Sequence, residues 1–263
     1  MSDYKTEVII LKSWESKEYD RIYSVFSREY GKMRVVGIGT RKVQAKLASN
    51  LEPFTRTDIF LVKCRYLDRV RGTIILRQYK KLKQDLNYLV EGRRTVDIIE
   101  KLLPDNESNE KIFIAMKEYL KFLNKLAEKG SKTSRITNSK KQNKVNQNKF
   151  VSQLAQLALI WKAIYWSGYF PRFSNCAYCN RKITEVEQYT FVLSRGISCG
   201  CQNNFGDDLK IILKKNTIKI IKFLVTQEIQ YIKKFQIKID DLQYLQQFTK
   251  LILEQIIDRK VIL

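Results

Sequence analysis

The chain contains no histidine. That absence removes the commonest general base, and with it the Ser-His-Asp and Cys-His nucleophile arrangements and every mixed cysteine–histidine metal site. No apolar run reaches transmembrane length, and no charged-then-apolar start resembles a signal peptide. The expectation is a cytoplasmic chain with no membrane partner. Glycine and proline are scarce, at 10 and 3 of 263 residues, while lysine, asparagine, isoleucine, glutamine and tyrosine are abundant. Acidic residues are outnumbered, 27 against 49 basic ones, for a formal charge of +22. Nucleic acid is the default partner of so basic a protein. Compositional drift toward AT-rich coding is the rival account of the excess. Hydrophobic content of 44% and aromatic content of 11% exclude a wholly disordered chain.

Four of the five cysteines form two tight pairs, Cys176-Ala-Tyr-Cys179 and Cys199-Gly-Cys201, nineteen residues apart. Each pair is a short bite, and two bites complete a tetrahedral four-thiolate zinc site. Gly196 and Gly200 give the second pair room to turn, and a small β excursion over 187–193 would bring the pairs together. Such a zinc has no open position, so it braces a fold. Free or disulfide-bonded thiols and an iron–sulfur cluster stay open as alternatives. Lone Cys64 reads as a buried small hydrophobe.

The first eighty residues read as five strands: Val8–Leu11, Ile22–Phe26, Met33–Val36, Asp58–Val62 and Gly72–Leu76. Five short strands in that length fit a small closed barrel. The interval Thr40–Phe54 is left for a short helix or long loop. Helical spacing begins near Gln84. Leu86, Leu89, Val96, Ile99 and Leu103 mark one face, stopped by Pro104; Ile112, Met116, Tyr119, Leu123 and Leu126 mark a second. Residues 129–149 read as a mobile basic linker, with Lys132, Arg135, Lys140, Lys141, Lys144 and Lys149. Phe150, Leu154, Leu157, Trp161 and Ile164 resume helical spacing up to Gly168 and Pro171. The Asp207-Asp208 and Asp240-Asp241 pairs read as helix caps and dipole partners. Lys210, Lys214, Lys215, Lys219 and Lys222 read as one helix face. The expected fold is α+β: a five-stranded barrel over 1–82, then an all-α domain over 83–263 carrying a zinc module at 172–205.

Single strands are held by cations along the backbone and aromatic faces under the bases. Arg28, Lys32, Arg34, Arg41, Lys42 and Lys46 cluster around the third strand, with Tyr19, Tyr23, Tyr30 and Phe54 among them. In the rival reading the aromatics fill the barrel and the lysines solvate its outside.

Several stretches in this order resemble the bacterial recombination mediator family RecO. They are Lys17-Glu18-Tyr19-Asp20-Arg21, Phe26-Ser27-Arg28-Glu29-Tyr30-Gly31-Lys32, Gly39-Thr40-Arg41-Lys42, Leu51-Glu52-Pro53-Phe54, and Gly168-Tyr169-Phe170-Pro171 running into Cys176 and Cys179. The resemblance implies an N-terminal OB-fold, a helical C-terminal region and an inserted zinc module. It also implies annealing of complementary strands, and loading of RecA onto DNA coated by single-strand-binding protein, usually with RecR. DNA contacts would fall on barrel positions such as Arg41 and Lys42. The family's second cysteine pair typically has two intervening residues where this chain has one. The expected protein is a non-enzymatic, nucleoid-associated repair factor binding single- and double-stranded DNA, with one Zn2+ and no small-molecule substrate. A zinc-containing interaction adaptor is the first rival. A metal-dependent nuclease is the second, weakened by scattered carboxylates.

Overall fold

A computed structural model describes residues 3–16, 18–42, 47–131, 138–193, 195–201, 209–258, 261 and 263. The chain divides into two compact units, Met1–Asn148 and Lys149–Leu263.

In the first unit, β1 (Asp3–Glu15), β2 (Arg21–Ser27), β3 (Gly31–Gly37), β4 (Thr55–Val62) and β5 (Asp68–Gln78) contain the five expected strands. They pair in the order β1-β2-β3-β5-β4, and β4 pairs back with β1 to close a barrel. Alternation decides which side chains fill it. In β4, Thr55, Thr57, Ile59 and Leu61 are buried and their neighbours are not, as a two-residue period requires. Val8, Ile10, Tyr23, Val25, Val35, Ile59, Leu61 and Val70 form the interior, with Leu51 from the 3-10 turn Ala48–Leu51. That turn is what the Thr40–Phe54 interval holds.

β2 is buried on both faces from Tyr23 to Ser27 because helices cover its outside. Phe26 meets Phe113 at 5.8 Å, and Ser24 Oγ donates to Glu100 at 2.6 Å. The helices are α1 (Lys80–Gln84), α2 (Leu86–Leu102) and α3 (Glu110–Ser131). Asp85 caps α2 by accepting the Asn87 and Tyr88 N–H groups, and the helix stops at Leu102, just short of Leu103-Pro104. Every member of the stripe Ile112, Met116, Tyr119, Leu123 and Leu126 is buried. Each such burial is worth about 1.5–3 kcal/mol against exposure. Thr95 Oγ1 and Tyr119 OH, 2.9 Å apart, tie α2 to α3. Gly31 is required where it stands: its φ is +74°, and a Cβ there would lie 2.0 Å from the Glu107 carbonyl oxygen.

α4 spans Asn138–Trp166, and in the second unit it buries Leu154, Leu157, Trp161 and Ile164. The stretch 138–149, expected as linker, is therefore helical. It has no glycine or proline, and lysine and glutamine are good helix formers. Residues 132–137, with Lys132 and Arg135, lie outside the described residues, as does Asp207-Asp208.

The second unit is not all helix. β6 (Gln188–Val192), β7 (Gly196–Ser198) and β8 (Lys210–Lys214) make a three-stranded antiparallel sheet in the order β7-β6-β8. β6 occupies the expected excursion. β8 corrects the lysine reading: Lys210 and Lys214 belong to a strand, because Ile211-Ile212-Leu213 favours β structure over a helix. Lys215, Lys219 and Lys222 do lie on a helix, α5 (Lys215–Thr226). α6 (Ile239–Ile257) starts at Lys238 with no side-chain cap, so Asp240 and Asp241 act in its first turn through the dipole rather than as caps. Trp161 anchors α4 to α6: its Nε1–H donates to Thr249 Oγ1 at 2.9 Å, and its ring stacks on Phe248 at 5.9 Å. Cys64 is half-buried rather than buried, since it lies just past β4 in a turn where its own N–H donates to Asp68. Among the described residues, no helix is long and apolar enough to cross a membrane.

Candidate metal centre and nucleic-acid interface

The first cysteine pair sits in a tight knuckle. The Cys176 N–H donates to the Arg181 carbonyl at 2.8 Å, the Asn180 N–H returns to the Cys176 carbonyl at 3.0 Å, and Asn180 takes a left-handed φ of 57°. The Ala177 N–H donates to the Ile197 carbonyl at 2.8 Å, which fastens the knuckle to β7 and so to the second pair. Gly196 and Gly200, at φ +121° and +82°, supply backbone turns on either side of Cys199 that a side chain would resist.

The result is convergence. All four Sγ atoms lie within 4.8 Å of one another, with Cys176–Cys201 at 3.7 Å and Cys179–Cys199 at 3.5 Å. Those separations exclude a disulfide, whose sulfurs are about 2.05 Å apart. A tetrahedral ion with 2.3 Å bonds to sulfur sets its ligand atoms about 3.8 Å apart, so the four residues fit a metal of that geometry. Cys176 Sγ accepts the N–H groups of Tyr178 at 3.5 Å and Cys199 at 3.4 Å. Burial pushes the Cys176 thiol up, but N–H donors from Cys179, Cys199 and Tyr178 outweigh it and bring the pKa down to about 6. The Cys199 side chain, then burial, pushes Cys201 up to about 12. Backbone N–H groups thus favour a thiolate at Cys176, and the spacing of the four sulfurs is what a tetrahedral cation would need.

The six expected nucleic-acid contacts do not converge in this way. Arg28 Nε donates to Glu110 Oε1 of α3 at 2.9 Å, and that pairing holds its guanidinium above the ordinary arginine range. Lys32 Nζ donates to the Glu100 carbonyl at 2.9 Å and pairs with Asp105 at 3.0 Å. It caps the last turn of α2, where cations are favoured. Arg34 is exposed, with its guanidinium 5.9 Å from the Trp14 ring centroid. Arg41 is exposed and pairs with Glu15 at 3.2 Å. Lys42 Nζ stands 5.5 Å from the Tyr19 centroid. Lys46 lies outside the described residues.

Arg34, Arg41 and Lys42 share one end of the barrel. Trp14 pairs with Ile22, which pairs with Val36, so Trp14 and Arg34 occupy neighbouring rungs. The Arg41 N–H donates to the Tyr19 carbonyl at 3.0 Å and brings the loop after β3 onto the β1–β2 turn. Tyr19 is 48% exposed, whereas Tyr23 and Phe54 are core, so the aromatics divide between the two readings. Tyr30 is exposed but meets Tyr4 edge-on at 5.1 Å. Trp14 was not among the expected residues. No local signal marks it: Trp14 is half-buried, and its place beside Arg34 comes from the pairing of β1, β2 and β3. Of the second basic concentration, Lys149 is exposed, while the side chains of Lys140, Lys141 and Lys144 lie outside the described set.

Comparison with known proteins matches residues 1–79 to the family model for the recombination protein O N terminal and residues 144–261 to that for its C terminal. DNA repair protein RecO of Geobacter sulfurreducens is 32% identical over 123 residues, 47% of this chain and 51% of that protein. DNA repair protein RecO of Myxococcus xanthus is 27% identical over 180 residues, 68% of this chain and 64% of its own length. The Desulforamulus reducens protein of the same name is 22% identical over 239 residues, 90% of this chain and 83% of that relative. The stronger Geobacter match thus spans about half the relative's length.

Proposed function

The chain belongs to the recombination protein O family, and on that premise we propose that it is a recombinational DNA repair mediator that works without covalent chemistry. It binds single- and double-stranded DNA, anneals complementary strands, and helps load RecA onto strands coated by single-strand-binding protein, acting with RecR in the cytoplasm. The observation that carries the DNA reading is the barrel end where Arg34 lies over Trp14, Lys42 over Tyr19, and the Arg41 backbone is bonded to the Tyr19 carbonyl. Cations beside a half-buried Trp14 and an exposed Tyr19 suit an unpaired strand: the charges take phosphates and the rings take base faces. Screening the phosphates of two strands lets them approach and pair. The strand order β1-β2-β3-β5-β4 supports an OB-fold for 1–82, a barrel that binds oligonucleotides elsewhere.

The metal is zinc, held by Cys176, Cys179, Cys199 and Cys201. Four thiolates leave no position for water or substrate, so its contribution is to hold the knuckle against β7. The test of the DNA reading is a strand-annealing assay, with and without single-strand-binding protein, comparing the natural chain with an Arg41→Glu/Lys42→Glu variant. Annealing should fall sharply in the variant. Equal rates in both proteins would overturn the assignment to this barrel end.

A further inference from the structure

β5 keeps an edge that no described strand fills. On one side it pairs with β4 from Arg69 opposite Val62 to Gln78 opposite Thr55. On the other it pairs with β3 at Val35–Asp68 and Val36–Arg69. From Val70 to Gln78 that second side has no strand partner among the described residues. The edge of β3 is closed differently, by the bridge between Lys32 and Asp105 and by the Asn106 N–H on the Lys32 carbonyl at 2.8 Å. The 3-10 turn reaches β5 through side chains: Asn50 Nδ2 donates to Thr73 Oγ1 at 2.9 Å, and Gln78 Nε2 to the Ser49 carbonyl at 3.5 Å. Neither bond uses a backbone group of β5.

The open stretch is apolar. Ile74, Ile75 and Leu76 are 52%, 39% and 39% exposed. Ile74 and Ile75 point to opposite faces, and a bulge at Leu76 breaks the alternation beyond them, so both faces of the strand show apolar surface here. An exposed apolar edge is a template for another strand. Its charge is one-sided. At the first end Arg71 pairs with Asp3, but at the far end Arg77, Lys80 and Lys81 are exposed and have no carboxylate ion pair among the described residues.

We infer that β5 is a docking edge for an extended segment of a partner protein. The segment adds as a strand along Val70–Gln78, sets apolar side chains against Ile74–Leu76, and carries carboxylates toward Arg77, Lys80 and Lys81. Main-chain bonds supply the affinity and side chains the selectivity. A second copy of this chain fits less well: antiparallel pairing centred on Ile74 would set Arg71 opposite Arg77, and like charges directly opposite repel. Nucleic acid has no row of amides and carbonyls to complete the ladder.

The experiment uses the full chain and a fluorescein-labelled probe peptide, Asp-Asp-Ile-Thr-Val-Thr-Ile-Asp-Asp. Anisotropy should report binding, and amide exchange should slow across 70–78. A version of the probe N-methylated at alternate residues should bind at least tenfold more weakly, as should the plain probe with a Lys80→Glu/Lys81→Glu variant. An Ile74→Gln/Leu76→Gln variant, exposed and neutral, should lose the probe by a similar factor and keep its affinity for a single-stranded oligonucleotide, which separates this edge from the DNA-binding end. Equal binding of the methylated probe would overturn strand addition. Equal binding of a probe with lysine for aspartate would overturn the acidic partner, and a concentration-dependent dimer lost in Ile74→Gln/Leu76→Gln would replace it with a second copy.

Discussion

In the cysteine module four like groups are drawn within 4.8 Å, while on the barrel the cations stand apart, each facing its own carboxylate, carbonyl or ring. The difference is one of what can be tolerated without a ligand. A sulfur can keep its proton, so thiols can crowd until a metal displaces it. Guanidinium and ammonium groups are always charged, so the fold separates them and matches most of them internally. A formal charge of +22 therefore overstates what the barrel offers a phosphate. Arg28 and Lys32 are occupied with helix residues; Arg34, Arg41 and Lys42 remain at the exposed end.

The sharpest way to break this contrast is Cys176→Ser, which removes the buried ligand. Zinc binding in small four-ligand modules carries an apparent ~10–16 kcal/mol, so this is the largest expected effect. Metal analysis should fall from one zinc per chain to none, and limited proteolysis should cut within 172–201 while the barrel stays intact. Trp161→Ala tests the packing beside the module. Its ring and its bond to Thr249 both disappear, for about 3–5 kcal/mol of stability in denaturant titration of the second unit.

Trp14→Ala sharpens the other half. Loss of a stacking face should weaken single-strand binding by about 1–3 kcal/mol with little change in salt dependence. Arg41→Glu/Lys42→Glu should do the reverse, flattening the log–log salt slope by roughly 0.7 for each phosphate no longer neutralised, from a total of about −2 if Arg34, Arg41 and Lys42 each meet one phosphate. The smallest effect is a gain. Glu110→Gln leaves Arg28 only its longer pairing with Glu7 at 4.0 Å and should steepen the slope by at most about 0.7; an unchanged slope would mean that Arg28 faces no phosphate once Glu110 releases it.

Much of this was legible in the residues. All five strands stood out because β-branched runs were bounded by turns, and the stripe from Ile112 to Leu126 was legible throughout because its period is local. The cysteine cluster was legible because both bites are short and the chain between them makes one small hairpin, β6–β7. The β8 strand was missed because lysines at helical spacing masked Ile211-Ile212-Leu213. Trp14 was missed because its place beside Arg34 arises from strand pairing across β1, β2 and β3 rather than from neighbours in sequence. The pairing of Arg28 with Glu110 joins residues far apart in sequence and has no local signal.

The order of residues by itself determined the strands, the buried stripe of α3, the absence of histidine chemistry and the four converging cysteines, since each rests on spacing within a few turns of chain. On α2 the expected Leu86 is 72% exposed and Tyr88 is buried in its place, because what α2 packs against sets its face. Only the tertiary structure decided which cations remain available, which aromatics reach solvent and which strand edge stays open. Those outcomes depend on what each side chain meets across the fold, and desolvation and charge pairing act through space rather than along the backbone.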